Sequence, residues 1–219
     1  MSRRTLLCYG DSNTHGTLPM TVRGERRRLA PELRWPGIAA AALGDGWRVV
    51  EEGLPGRTTL HPDPIEGAHL NGLAVLPAIL ASHRPIDIVA LMLGTNDLKR
   101  RFGVSAAEIG DALVRLAREI RMGDAGPDRR APALLLIAPP PILEAGCLAD
   151  IFAGGAAKSA GLAAAVRQTA EIFGAGFLDA GSVIASSPVD GVHFEAAAHA
   201  ALGQAVAAGV AAQMEREAG

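Results

Sequence analysis

Thr5-Leu6-Leu7-Cys8-Tyr9-Gly10-Asp11-Ser12-Asn13-Thr14-His15-Gly16 opens the chain with an apolar run, a break at Gly10, and a cluster of polar side chains. Residues Thr5 to Tyr9 are too few for a helix and show no alternation of polar and apolar side chains. They read as a strand buried on both faces, the signature of a parallel sheet. Gly10 permits a sharp turn, so Ser12 is expected to emerge at the carboxyl edge of that sheet. Four further runs have the same character: Trp47–Glu52, Ile86–Leu93, Ala133–Ala138 and Gly176–Asp179.

Helical segments separate them. Pro36–Leu43 stops at Gly44, and Asn71–Ser82 stops before Pro85. In Ser105–Met122, Ser105 and Glu108 form a capping box ahead of an apolar stripe at Ile109, Leu113, Leu116 and Ile120. Ala156–Phe173 and Glu195–Glu217 complete the set; the last is rich in Ala and Gly, so it is suited to close packing whose gain must offset a low intrinsic helix propensity. Alternating strands and helices with short connections imply a parallel sheet covered on both faces, in one domain spanning residues 1–219. Ligands of such sheets bind beyond the carboxyl ends of the strands.

That rule can be checked against the reactive side chains. Ser12 follows the first run, Gly56 the second, and Gly94-Thr95-Asn96-Asp97 the third. Asp190-Gly191-Val192-His193 lies just before the last helix. Each motif alone is an ordinary turn or cap. Together they supply a hydroxyl nucleophile, an imidazole base, a carboxylate to orient it, and amide donors for an oxyanion. A flavodoxin-like binding module for a phosphorylated ligand, cradled by residues 10–16, is the alternative from another class, although the segment lacks the glycine spacing and lysine of a P-loop.

Composition narrows the partners. The 219 residues are 49% hydrophobic and 20% charged with a formal net charge of −2, which excludes a disordered chain and any global attraction to nucleic acid or anionic membrane. Arg23, Arg26, Arg27, Arg28 and Arg34 form one basic cluster, read as a solvated loop or a subunit contact. Cys8 reads as a buried core thiol and Cys147 as an exposed one, with no disulfide framework. His61, His69, His83 and His199 show no ligand spacing, so neither a metal nor a cofactor is expected. The apolar run after Arg3 and Arg4 is too short for a signal peptide, and no span could cross a bilayer, which points to a cytoplasmic location.

The blocks Gly10-Asp11-Ser12, Gly56, Gly94-Thr95-Asn96-Asp97 and Asp190-x-x-His193, in this order over nearly the whole chain, resemble those of the SGNH (GDSL-like) hydrolases. Arg34-Trp35, Glu51-Glu52-Gly53-Leu54, Arg57-Thr58-Thr59, Leu70-Asn71-Gly72 and Pro139-Pro140-Pro141 are similar to the bacterial arylesterase/acyltransferase branch. The resemblance implies a flavodoxin-like three-layer α/β/α sandwich with a five-stranded parallel sheet. It implies hydrolysis of short acyl or aryl esters through an acyl-enzyme on Ser12, with Asp190 and His193 as catalytic partners and acyl transfer or perhydrolysis as a side activity. Carbohydrate deacetylation and thioester cleavage would use the same triad. The oxyanion hole would comprise the N–H groups of Ser12 and Gly56 and the side chain of Asn96. His15, Thr17, Thr95, Leu148, Phe152 and Val192 are the expected pocket residues, and the partners a small ester and further copies of the chain in a homo-oligomer, such as an octamer.

Overall fold

The computed structural model describes residues 3–218. Five parallel strands, β1 (Arg4–Gly10), β2 (Trp47–Gly53), β3 (Ile88–Met92), β4 (Ala133–Ala138) and β5 (Gly176–Asp179), form one sheet in the order β2-β1-β3-β4-β5. This is the flavodoxin-like arrangement. The chain leaves β1 toward one edge and returns to β3 on its other side, which makes the carboxyl ends of β1 and β3 the switch point.

Around the sheet lie α1 (Ser12–His15), α2 (Trp35–Leu43), α3 (Gly72–His83), α4 (Ala106–Arg121), α5 (Gly155–Ser159), α6 (Leu162–Phe173) and α7 (Ala196–Ala218). Alternate strand residues divide between two cores, because successive side chains of a strand point to opposite faces. Leu7, Tyr9, Val89, Leu91, Leu134 and Leu136 pack with Leu76, Leu113, Leu116 and Val166 from α3, α4 and α6. Leu6, Cys8, Ile88, Ala90, Leu135 and Ile137 pack with Trp35, Ala39, Leu202, Val206 and Val210 from α2 and α7. A chain with so many uninterrupted apolar strand residues needs both covers.

The expected elements differ from the observed ones in detail. The third strand is shorter at both ends than Ile86–Leu93. The segment Ala156–Phe173 is two helices, α5 and α6, parted at Ala160-Gly161. Buried Ser159 accepts from the Ile142 amide at 3.1 Å and donates to the Ala156 carbonyl at 2.7 Å, tethering α5 to the loop after β4. A Cβ on Gly161 would stand 3.0 Å from that of Ala106, so α6 begins in close contact with the start of α4. The capping box of α4 is present, with Glu108 N–H donating to Ser105 Oγ at 3.2 Å and Ser105 N–H to Glu108 Oε2 at 2.7 Å. Gly203 is where α7 meets α2: a Cβ there would lie 2.5 Å from that of Ile38. Trp35 is fully buried and anchors α2.

Gly10 joins fold to site. A Cβ at this position would stand 2.0 Å from Thr14 Oγ1 and 2.8 Å from the Met92 carbonyl oxygen, so any larger residue pushes α1 off the end of the sheet. Gly10→Ala is expected to destabilise the protein by about 1–3 kcal/mol. Any activity that depends on Ser12 should fall further than the folded fraction does, because Ser12 moves with α1. Denaturant unfolding alongside the specific activity of the folded protein checks this.

Candidate active site

Ser12 is the first residue of α1. Asp11 caps that helix by accepting the Asn13 N–H at 2.9 Å, and Gly16 ends it in the left-handed conformation. The helix is only four residues long, and its first turn points Ser12 across the carboxyl edge of β1. The Asn13 side chain donates to the Val192 carbonyl at 3.2 Å, pinning α1 to the distant loop that carries the imidazole. A second anchor holds that loop. Leu143 N–H donates to the Gly191 carbonyl at 2.8 Å, and a Cβ on Gly191 would meet the Leu143 carbonyl oxygen at 2.0 Å. Asp190-Gly191-Val192-His193 is thereby fastened to the connection following β4.

The result is a continuous hydrogen-bonded line. His193 Nε2 stands 3.1 Å from Ser12 Oγ, and His193 Nδ1 stands 2.6 Å from Asp190 Oδ2. With the carboxylate accepting the Nδ1 proton, Nε2 accepts from the serine hydroxyl. Asp190 is 0% exposed, His193 4% and Ser12 6%, so water competes little for these bonds. Asp190 also accepts the amides of Met20 at 2.8 Å, Val192 at 3.0 Å and His193 at 2.9 Å. Burial opposes its ionisation, but the His193 hydrogen bond and charge, with the His193 and Met20 amides, outweigh that and bring its pKa down to about 2.

Opposite the serine lie the expected amide donors. Ser12, Gly56 and Asn96 all line one cavity with His193. Among the described residues, the backbone N–H groups of Ser12 and Gly56 meet no protein acceptor, which leaves both available to a ligand oxygen. Asn96 Nδ2 donates to the Arg57 carbonyl at 3.1 Å, with a long 3.4 Å contact from the same nitrogen to Asp11 Oδ2. The first bond aims the amide, and the weak second one is the bond a substrate oxygen can replace. Burial raises the Asp11 carboxyl to about 6, with the Asn13 amide and the charges of His193 and Arg57 opposing that rise.

The loops bearing Gly56 and Asn96 are tied to each other. Asp97, fully buried, accepts Thr59 N–H at 3.0 Å, Thr59 Oγ1–H at 2.6 Å and a bond from His61 Nδ1 at 2.7 Å. It links two loops rather than capping its own turn alone. Arg57 stacks on Tyr9 with its guanidinium carbon 4.2 Å from the ring centroid, and donates to the carbonyls of Gly10 and Glu52. The ends of β1 and β2 are thus clamped beneath the donors.

The cavity has a volume of about 440 Å³, within the range of small-molecule sites. Leu148, Phe152 and Val192 line it, as does Ile151. His15, Thr17 and Thr95 do not. Gly53 lets α1 settle on the end of β2, since a Cβ there would lie 2.2 Å from His15 N, and Thr17 bridges to Arg28 in antiparallel fashion. These contacts carry residues 15–17 away from the cavity, where His15 Nδ1 pairs with Thr17 Oγ1 at 3.0 Å. Burial, then the charges of Arg28 and Arg34, lower the His15 pKa to about 4, so it stays neutral and bonded to Thr17. Thr95 is buried at the head of the tight turn Asn96–Leu98 that presents Asn96.

The basic segment read from sequence as a solvated loop or a subunit contact also borders the cavity, through Met20, Arg23, Gly24, Glu25 and Arg26, with Arg23 and Arg26 exposed. No local periodicity marks this role, which follows from the Met20 amide reaching Asp190 across 170 residues. Pro55, Glu66 and Lys99 border the cavity as well. Lys99 Nζ pairs with Glu66 at 3.0 Å and Asp63 at 3.7 Å, and Arg101 joins both carboxylates. His61 and Asp63, neighbours in one loop, are committed to Asp97 and to these cations.

The family model for GDSL-like lipases/acylhydrolases matches residues 8–201. No curated protein matches the chain. Among solved structures, the aryl esterase of M. smegmatis is similar at 38% identity with a TM-score of 0.91, covering 96% of this chain and 99% of that one. Est24, a carbohydrate acetylesterase from Sinorhizobium meliloti, is similar at 39% identity with a TM-score of 0.92, over 96% and 99% of the two chains.

The ion-pair network predicts an acid dependence. Burial would raise the Asp63 pKa, but Arg101 and the amides of Glu66 and Ile65 overcome it and bring the value from 3.8 to about 2. The folded state therefore holds this proton less tightly than the unfolded chain. The resulting stability is complete above 3.8 and is lost as pH falls through about 2. Asp63→Asn should lower stability at neutral pH and flatten its decline across that window, as followed by urea unfolding at stepped pH.

Proposed function

We propose a reaction course from this premise: the chain belongs to the GDSL-like lipase/acylhydrolase family and is a carboxylic ester hydrolase of the SGNH type. In this reading Ser12 Oγ attacks the ester carbonyl carbon while its proton passes to His193 Nε2. Asp190 holds the ring in the tautomer that can accept that proton, and stabilises the imidazolium formed. The carbonyl oxygen becomes an oxyanion and receives hydrogen bonds from Ser12 N–H, Gly56 N–H and Asn96 Nδ2–H. Collapse breaks the bond to the alcohol oxygen, which leaves with the Nε2 proton. Water then gives a proton to His193 and attacks the acyl-serine carbonyl, and a second collapse returns the proton to Ser12 and frees the acid.

The observation that carries this reading is the Ser12–His193–Asp190 line beside two unused backbone N–H groups. The flavodoxin-like phospholigand-binding alternative has no use for an imidazole on Ser12, and family membership removes it. Short acyl groups are the proposed acyl part, because the apolar wall of Leu148, Ile151, Phe152 and Val192 borders a cavity of modest volume. Aryl esters and acetylated sugars are the two proposed alcohol classes, supported by the names of the similar proteins. An alcohol or peroxide replacing water would give acyl transfer or perhydrolysis at the same acyl-enzyme.

A homo-oligomer such as an octamer is part of the proposal and rests on the sequence resemblance. Light scattering should give a mass well above the 22.5 kDa chain, whereas a monomer alone refutes that part.

For the chemistry, intact-mass spectrometry during turnover of p-nitrophenyl acetate should reveal a protein species heavier by one acetyl group, mapped to Ser12. Ser12→Ala should abolish that species and lower kcat by about 10⁴-fold or more. Full activity in Ser12→Ala overturns the assignment. Asp190→Asn, which favours the wrong ring tautomer, should lower kcat by about 10³- to 10⁴-fold.

A further inference from the structure

The cavity beside Ser12 has two kinds of wall. Leu148, Ile151, Phe152 and Val192 are its apolar lining, and Arg23, Glu25, Arg26, Glu66 and Lys99 its charged lining. The charges of the second lining do not cancel. Lys99 and Arg101 together face Asp63 and Glu66, two cations against two carboxylates. Glu25 is taken by Arg27 at 3.3 Å and by the Thr21 amide at 2.8 Å. Arg23 and Arg26 have no carboxylate partner among the described residues, although both border the cavity. Both guanidinium groups are exposed and free to meet a ligand anion entering the cavity.

The segment bearing them is fastened in place. Leu18 N–H donates to the Arg27 carbonyl at 3.0 Å, Thr17 bridges to Arg28, and Arg27 donates to the Pro19 carbonyl at 2.9 Å. Met20 N–H then joins this hairpin to Asp190. The backbone on both sides of the two arginines is therefore fixed beside the site, on the same loop that contacts the buried carboxylate of the hydrogen-bonded line.

We propose that Arg23 and Arg26 form a subsite for an anionic group on the alcohol portion of the ester. This rests on the serine-esterase reading above and deepens it by naming the substrate class: short acyl esters of carboxylate-bearing alcohols or phenols. The acyl chain suits the apolar wall, where it loses water at no polar cost. The charged alcohol suits the wall where guanidinium groups can form charge-assisted, bidentate bonds with a carboxylate. Both arginines are exposed, so the interaction is moderate in strength and weakened by salt.

The experiment compares kcat/KM for 4-acetoxybenzoate with that for the uncharged 4-acetoxybenzamide, which has nearly the same shape. The readout is the change in their ratio between proteins, so the intrinsic reactivities of the two esters cancel. The double variant Arg23→Gln/Arg26→Gln should lower the anionic-to-neutral ratio by about three- to tenfold at low ionic strength. The charge reversal Arg23→Glu/Arg26→Glu should lower it further, and Arg23→Lys/Arg26→Lys, which keeps the charge but not the bidentate fork, should recover only part of it. Added salt should reduce the ratio in the unaltered protein and much less in the glutamine variant. A ratio that stays constant through neutralisation and reversal overturns this proposal while leaving the serine mechanism standing. Failure of the unaltered protein to turn over either ester overturns the proposed substrate class, whereas full activity in Ser12→Ala would overturn the mechanism on which it rests.

Discussion

The 3.1 Å hydrogen bond between Ser12 Oγ and His193 Nε2 joins residues 181 positions apart, and the rest of the site exists to hold it. A serine hydroxyl is a poor nucleophile unless a base stands within reach of its proton. The imidazole here is held by a buried carboxylate that also gathers three backbone amides. A charge taken out of water is costly unless each of its lone pairs finds a donor, and Asp190 finds them within its own turn and on the loop carrying Met20. The donors that stabilise its charge also fix the positions of two chain segments.

The doubly covered sheet makes this meeting possible. Its strand order puts the ends of β1 and β3 on either side of the switch point, and Ser12 and Asn96 emerge there. The loop after β2 contributes Gly56 from the neighbouring edge, and Arg57 clamps β2 to β1 through the Gly10 and Glu52 carbonyls. Asp97 then ties the Gly56 loop to the Asn96 loop, so the spacing of these two segments is set by a buried carboxylate rather than by the loops' own stiffness. The site is built from short turns, but each turn is cross-linked to another by at least one buried polar bond.

Much of this was legible in the amino acids. The five apolar runs have the composition of strands buried on both faces, and the alternation of Leu6 and Cys8 with Leu7 and Tyr9 between two cores is what such runs require. Ser12, Asn96, Asp190 and His193 stand out because each follows a strand or precedes a helix at a glycine-marked turn. Side-chain direction was not legible. His15 and Thr17 follow Ser12 closely, and only the packing of α1 on Gly53 and the bridge to Arg28 reveals that they turn away from the cavity. The wall formed by residues 20–26 was hidden for the same reason. A segment rich in arginine gives no sign in the sequence that it also borders a cavity, and only the Met20 amide reaching Asp190 places it there.

The most direct test of the whole arrangement is a crystal structure of the protein after reaction with a serine-directed alkylphosphonate. The account predicts a covalent bond from phosphorus to Ser12 Oγ, with the phosphoryl oxygen about 2.7–3.1 Å from Ser12 N, Gly56 N and Asn96 Nδ2. An adduct on another residue, or a phosphoryl oxygen turned away from all three donors, would contradict it.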